Sequence, residues 1–92
     1  MELGGIKDAG FVVTGAAQGI GEGIARHLAG GGARLALIDR QADEVAAMAG
    51  ELGAHGFAAD VTDEASVEAA IAGAAEALGG IDGLVNVAGV QH

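Results

Sequence analysis

Apolar residues along this chain fall into two alternating patterns: short, nearly continuous aliphatic runs, and longer stretches in which they recur every three or four positions. The first run, Gly10 to Thr14, reads Gly-Phe-Val-Val-Thr and predicts a strand. Behind it, Ile20, Ile24 and Leu28 stand at helical spacing and predict a helix that buries them, ended by Gly30-Gly31-Gly32. Arg34 to Ile38 is again almost wholly apolar, as expected of a strand covered on both faces, and it stops at Asp39. A second helix, Gln41 to Leu52, would turn Val45, Ala46, Ala49 and Leu52 inward, with Gly53 suited to its C-terminal cap. His55 to Ala59 predicts a short third strand. Thr62 then reads as an N-cap with Asp63 and Glu64 in the first turn, where the helix dipole favours negative charge. Val67, Ile71, Ala74 and Leu78 form the stripe of this third helix, Gly79-Gly80 closes it, and Gly83 to Val87 predicts a fourth strand.

The order is βαβαβαβ, so the fold class is α/β with a parallel sheet. Right-handed crossovers leave few topologies, and the spatial order expected is 3-2-1-4. That is a three-layer, Rossmann-like arrangement: the first half of a doubly wound sheet plus one strand across the switch point, an incomplete version of that fold. No repeat, no proline and no linker divides the chain, which is read as a single domain over 1–92.

Between the first strand and the first helix runs Thr14-Gly15-Ala16-Ala17-Gln18-Gly19-Ile20-Gly21. A pyrophosphate reaches the backbone N–H groups of a helix N-terminus only where no Cβ intervenes. Gly15 suits the tight turn off the strand, Gly19 the open wall toward the phosphates, and Gly21 close packing of helix on sheet. The other reading is a turn that is merely glycine-rich, in a chain with 18 glycines among 92 residues. In open parallel sheets, ligands bind beyond the carboxyl ends of the strands where the strand order reverses. Here those ends carry the glycine loop, Asp39, Asp60-Val61 and Asn86-Val87-Ala88-Gly89. Asp39 lies 18 residues beyond Gly21, near the offset of roughly 20 at which an acid accepts hydrogen bonds from an adenosine ribose. A 2′-phosphate would face that carboxylate, so NAD is expected over NADP, with Arg40 next door softening the preference. Asp39 also admits a plainer reading, as a carboxylate at a helix start.

The stretch TGAAQGIG, the acid at Asp39, the pair Asp60-Val61 and the run NVAG together resemble the N-terminal nucleotide-binding part of the short-chain dehydrogenase/reductase family, classical type. The resemblance covers essentially the whole chain, with the four elements in the family's order and spacing. It implies that Gly15, Gln18, Gly19, Ile20 and Gly21 belong to the cofactor-binding loop, that Asp39 and Arg40 meet the cofactor's ribose end, and that Asp60 accepts from the adenine amino group while the Val61 backbone meets the ring edge. It further implies that Asn86, Ala88 and Gly89 stabilise the central strand and line the adenosine side of the cleft. Val87 stands where the family usually has a second asparagine. Apart from the resemblance, Asp60 also reads as a second helix cap beside Thr62. The family's proton transfer uses tyrosine, lysine and serine from a later part of the chain. This sequence has no tyrosine, its only lysine is Lys7 and its only serine is Ser66. No catalytic residue is assigned, and the 92 residues alone are expected to bind cofactor without turnover. A dinucleotide-binding module without chemistry is the alternative. A methyltransferase-type fold for S-adenosylmethionine fares worse, since its glycines usually stand closer together and it does not predict NVAG.

Charge and composition narrow the partners. Thirteen acids against Lys7, Arg26, Arg34 and Arg40 give a formal charge of −9, which leaves no basic patch for a nucleic acid. Cysteine is absent, and His27, His55 and His92 have no metal-ligand spacing. No apolar run approaches the roughly 20 residues of a membrane span, so a soluble, cytoplasmic protein is expected. Glu22 and Arg26 predict an exposed ion pair on the first helix. Leu84 to Val87 carries neither Lys nor Pro to blunt a sheet edge, and self-association or pairing with a complementing chain through strand four is expected.

Overall fold

Val12 and Val13, adjacent in sequence and both wholly buried, point to opposite faces of one strand because side chains alternate along it. In the computed structural model, which describes residues 6–87, that strand is β1 (Gly10–Thr14). It is followed by α1 (Gly19–Gly30), β2 (Arg34–Asp39), α2 (Ala42–Leu52), β3 (His55–Ala58), α3 (Glu64–Leu78) and β4 (Gly83–Asn86). The four strands form one parallel sheet in the order β3-β2-β1-β4, the order expected from the sequence. In register, Val12 lies between Ala36 and Leu84, and Val13 between Leu37 and Val85.

The period of two continues into β2. Leu35 and Leu37 join Val13, Ala25, Val45, Met48 and Ala49 in a cluster under α1 and α2. Ala36 and Ile38 join Val12, Ala70, Ala74 and Leu78 under α3. The result is a three-layer α/β/α sandwich. Its contact residues are small, so helices and sheet approach closely. At Gly73 of α3 an added Cβ would lie 2.9 Å from the Phe57 ring.

Three helix expectations are corrected. Ile20 does not face the core: it is 66% exposed, while Gly21 and Ala25 form the buried line of α1. The cause is the loop, because an added Cβ at Gly21 would run into the carbonyl oxygen of Gly15, so the helix seats on its smallest residues and turns Ile20 outward. In α2, Ala46 faces solvent and Met48 takes the inward place beside Val45 and Ala49. The N-cap of α3 is Asp63, not Thr62: its carboxylate accepts the N–H groups of Ala65 at 3.1 Å and Ser66 at 3.3 Å.

The sheet end opposite the glycine loop is closed by charge. Asp82 Oδ2 accepts the Gly10 N–H at 2.7 Å. The Arg34 guanidinium donates to the carbonyls of Asp8, at 2.8 Å, and of Leu78 in the last turn of α3, where a cation also complements the helix dipole.

Two glycines of α1 separate packing from propensity. Gly21→Ala should destabilise the fold by about 1–3 kcal/mol through overpacking against Gly15. Gly23→Ala, whose Cβ would meet nothing within 4 Å, should stabilise it by about 0.5–1 kcal/mol. Urea unfolding of both variants checks the pair, and equal shifts would remove the close-approach argument.

Candidate functional site

The site forms where the strands end. Gly15 leaves β1 with φ at 71°, a left-handed conformation that glycine adopts without penalty. Its N–H and that of Ala16 both donate to the carbonyl of Ile38, at 2.8 and 3.2 Å, which fastens the loop to the end of β2. Gly19 opens α1 at φ 23°, and a Cβ placed there would meet no protein atom within 4 Å. Gln18, in the N-cap position, makes no side-chain hydrogen bond to the first turn, whereas α3 is capped by Asp63. The first-turn amides of α1 thus lack a side-chain cap beside a loop cleared of side-chain bulk, the geometry that suits an anion.

Asp39 ends β2 and is only 2% exposed. Burying a carboxylate is costly unless its oxygens are hydrogen-bonded, and here they are. Oδ2 accepts the Ala17 N–H at 3.1 Å, and Oδ1 accepts the Gln41 N–H at 2.9 Å and, more loosely, the Gln41 side-chain amide at 3.4 Å. The geometry matches the plainer reading of Asp39 as a carboxylate at a helix start, since it accepts from Gln41 in the N-cap position of α2, and it also stands beside the glycine loop.

Across the switch point, the Thr14 hydroxyl donates to Asn86 Oδ1 at 2.7 Å, and the Val87 N–H donates to the Thr14 carbonyl at 3.3 Å. Asn86 therefore ties β4 to the central strand. Ala88 and Gly89 lie outside the described residues.

Asp60 and Val61 form a separate, exposed turn after β3. Asp60 Oδ1 accepts both the N–H and the hydroxyl of Thr62, at 2.9 and 2.7 Å. Those two donors, aided by the charge of Arg40, hold its carboxyl below the usual aspartate range. Asp60 is thus an Asx-type turn residue ahead of α3 and not its cap. Its own N–H donates to Ser66 Oγ at 3.1 Å, so the serine of α3 steadies this turn. Val61 and Ile20, both exposed apolar side chains, belong to segments at the same end of the sheet.

Sequence reasoning missed Thr14, Ala17, Gln41 and Ser66. Only Thr14 carried a signal, as a hydroxyl residue at the last position of a central strand. The expected Glu22–Arg26 pair extends further than foreseen, since Arg26 reaches Glu22 at 2.9 Å and Glu51 of α2 at 2.8 Å. The guanidinium holds the Glu51 carboxyl below its usual range. Beside this pair a cleft of about 230 Å³, lined by Ala17, Glu22, Arg26, Glu44, Met48 and Glu51 among others, runs between α1 and α2.

A 3-2-1-4 parallel sheet with a glycine loop feeding an uncapped helix at its switch point defines a nucleotide-binding domain of the Rossmann type. The short chain dehydrogenase family model matches residues 10–92, and the chain belongs to that family. It is 50% identical over 93 aligned positions to oxidoreductase UcpA of Salmonella typhimurium, covering 96% of this chain and 35% of that protein. To D-threitol dehydrogenase of Mycolicibacterium smegmatis it is 52% identical over 86 positions, covering 88% and 33%. Among solved structures, a 3-ketoacyl-(acyl-carrier-protein) reductase from Brucella melitensis complexed with NADH superposes with a TM-score of 0.82 at 37% identity, covering 86% of this chain and 33% of that one. A hydroxysteroid dehydrogenase from Escherichia coli gives 0.84 at 31% identity, covering 88% and 36%. The chain spans about a third of the length of the relatives it matches.

The lowered Asp60 carboxyl has a defined sign. A group whose pKa falls on folding contributes stability above its unfolded value, and loses that contribution as pH drops through its folded value. Thr62→Val should therefore return the Asp60 titration, followed by carboxyl NMR, toward the ordinary aspartate range and soften acid unfolding below about pH 4. An unchanged Asp60 midpoint in the variant would show that Thr62 does not set it.

Proposed function

We propose that these residues bind the adenosine diphosphate portion of NAD in a short-chain oxidoreductase that moves hydride between the nicotinamide and an alcohol or ketone. The observation that carries this is the open space at Gly19, beside first-turn amides that have no side-chain cap. In this reading the loop of Gly15, Gln18, Gly19 and Ile20 receives the pyrophosphate, Gly21 seats the helix that presents it, and Asp39 accepts from the adenosine ribose. Arg40 stands at the ribose end, Asp60 and Val61 meet the adenine, and Asn86, with Ala88 and Gly89 of the same motif, borders the adenosine side. The nicotinamide supplies the hydride chemistry, whereas the residues described here bind and orient. No tyrosine is among the 92 residues, so this polypeptide by itself should hold cofactor and not turn over.

NAD is favoured over NADP on charge. A 2′-phosphate would approach the buried Asp39 carboxylate, and the cleft beside Ala17 sets Glu22, Glu44 and Glu51 against the single guanidinium of Arg26. Arg40, next to Asp39 in sequence, is a cation that would offset this, and its charge also acts on Asp60. Among the described residues no helix is long and apolar enough to cross a membrane, which is compatible with a cytoplasmic location.

Calorimetric titration with NADH, NADPH and S-adenosylmethionine separates the readings. NADH should bind best. Gly19→Ala should keep the fold at a strain cost of about 1–2 kcal/mol yet weaken NADH at least about tenfold. Asp39→Ser should narrow the NADH-to-NADPH ratio by about 1–3 kcal/mol. Preferred binding of S-adenosylmethionine, or unchanged NADH affinity in a folded Gly19→Ala protein, would overturn the assignment.

Self-association through β4 belongs to the same proposal. Among the described residues β4 pairs with β1 alone, and Leu84 is 54% exposed. An apolar edge without Lys or Pro recruits a partner strand. Sedimentation velocity across a concentration series should show association that Leu84→Lys reduces, and a monomer at roughly 100 μM, far above a micromolar affinity, would count against it.

A further inference from the structure

Three successive amides of the glycine loop are anchored on the end of β2. Gly15 and Ala16 donate to the main-chain carbonyl of Ile38, an acceptor that any residue would supply. The third, Ala17, donates to the side chain of Asp39 at 3.1 Å. Asp39 is in turn locked by burial and by the Gln41 N–H at 2.9 Å.

From this we infer that Asp39 is a positioning residue for the pyrophosphate loop, in addition to the ribose role proposed above, on which the inference rests. The carboxylate joins the two ends of the cofactor site through Ala17. Its two oxygens offer about four acceptor positions. Ala17 and Gln41 main-chain N–H groups take two, and the Gln41 side-chain amide, at 3.4 Å, holds a third only weakly. Capacity for a ribose hydroxyl thus remains without releasing the loop. A second hydroxyl displaces the Gln41 side chain and leaves the Ala17 bond in place. Asparagine cannot replace this arrangement, because it presents a donor where one of the two main-chain donors needs an acceptor.

The test removes the ribose from the comparison. ADP and 2′,3′-dideoxyadenosine diphosphate, which lacks the ribose hydroxyls, are titrated into the wild-type chain and Asp39→Asn at a temperature where both are folded. A positioning role predicts that Asp39→Asn weakens the dideoxy ligand by roughly tenfold, and ADP by more. If the dideoxy ligand binds both proteins equally while ADP binding falls, Asp39 acts at the ribose alone and the inference is overturned. A backbone ester in place of the Ala17 amide removes the donor while keeping Asp39 intact, and it serves if Asp39→Asn fails to fold. It should weaken both ligands by a similar factor, and wild-type affinity for both would overturn the inference. Hydrogen exchange at the Ala17 amide of the unliganded chain decides the matter without any ligand. Protection in the wild type that drops at least about tenfold in Asp39→Asn supports the inference, and an already fast amide overturns it. If the wild type binds neither NADH nor ADP, the cofactor assignment fails, and the exchange measurement still tells whether Asp39 holds the loop.

Discussion

The arrangement of the strand ends depends on how closely α1 approaches the carbonyl of Gly15. Only a residue without a Cβ fits at Gly21, and that contact sets the position of the helix relative to β1. Once the helix is seated there, Ile20 turns outward and Gly19 stands clear of protein atoms. The loop between them is short enough for consecutive N–H groups to reach the end of β2. One absent methyl group thus governs the orientation of a helix, the opening beside its first turn, and the placement of a buried carboxylate. A change at Gly21 would act on binding through geometry, although the residue lines no open space of its own.

The core makes such close approach possible because it is built from small side chains. Ala25 and Ala49 on one face, and Ala70 and Ala74 on the other, let helices settle against a sheet whose bulk comes from Val, Leu and Ile. Each alanine buries little area, so its hydrophobic contribution is slight. What the alanines provide is proximity. Polar anchors complement them: the Asp82–Gly10 and Arg34–Leu78 bonds hold the amino end of the sheet, and Thr14–Asn86 with Asp39–Ala17 hold the carboxyl end.

Much of this was legible in the sequence, and the exceptions have physical reasons. Strand and helix order followed from the change of hydrophobic period, and strand order from the expected doubly wound arrangement. The glycine loop, Asp39 and Asn86 were legible as residues at strand ends. Periodicity could not tell which face of α1 lies inward, since the helix seats on Gly21, a residue with no hydrophobic signal. It could not choose between Ala46 and Met48 either, because alanine suits both environments. Thr62 and Asp63 are both good caps, and only the Asp60 turn, which engages the Thr62 hydroxyl, leaves the role to Asp63. The partners of Thr14 and Asp39 stand 72 and 22 residues away, beyond any local pattern.

That separation of 72 residues, also found between Gly10 and Asp82, has a consequence for how the chain is made. Of the four strands described, β1 is synthesised first and β4, which completes its second edge, fourth. At about 5–20 residues per second, β1 leaves the ribosome several seconds before β4 exists. For that interval its most apolar segment has one flank open, and the helices that arrive in between can cover its faces but not its edge. Recruitment of β2, some 20 residues behind, is fast by comparison, so the nascent chain passes through a half-sheet that must stay unpaired with its neighbours on a polysome. All four cations lie at or before Arg40, so the half-sheet is formally neutral when β2 is made, and the like charge that sets nascent chains apart accrues only as the acids of α2 and α3 are added while the edge waits.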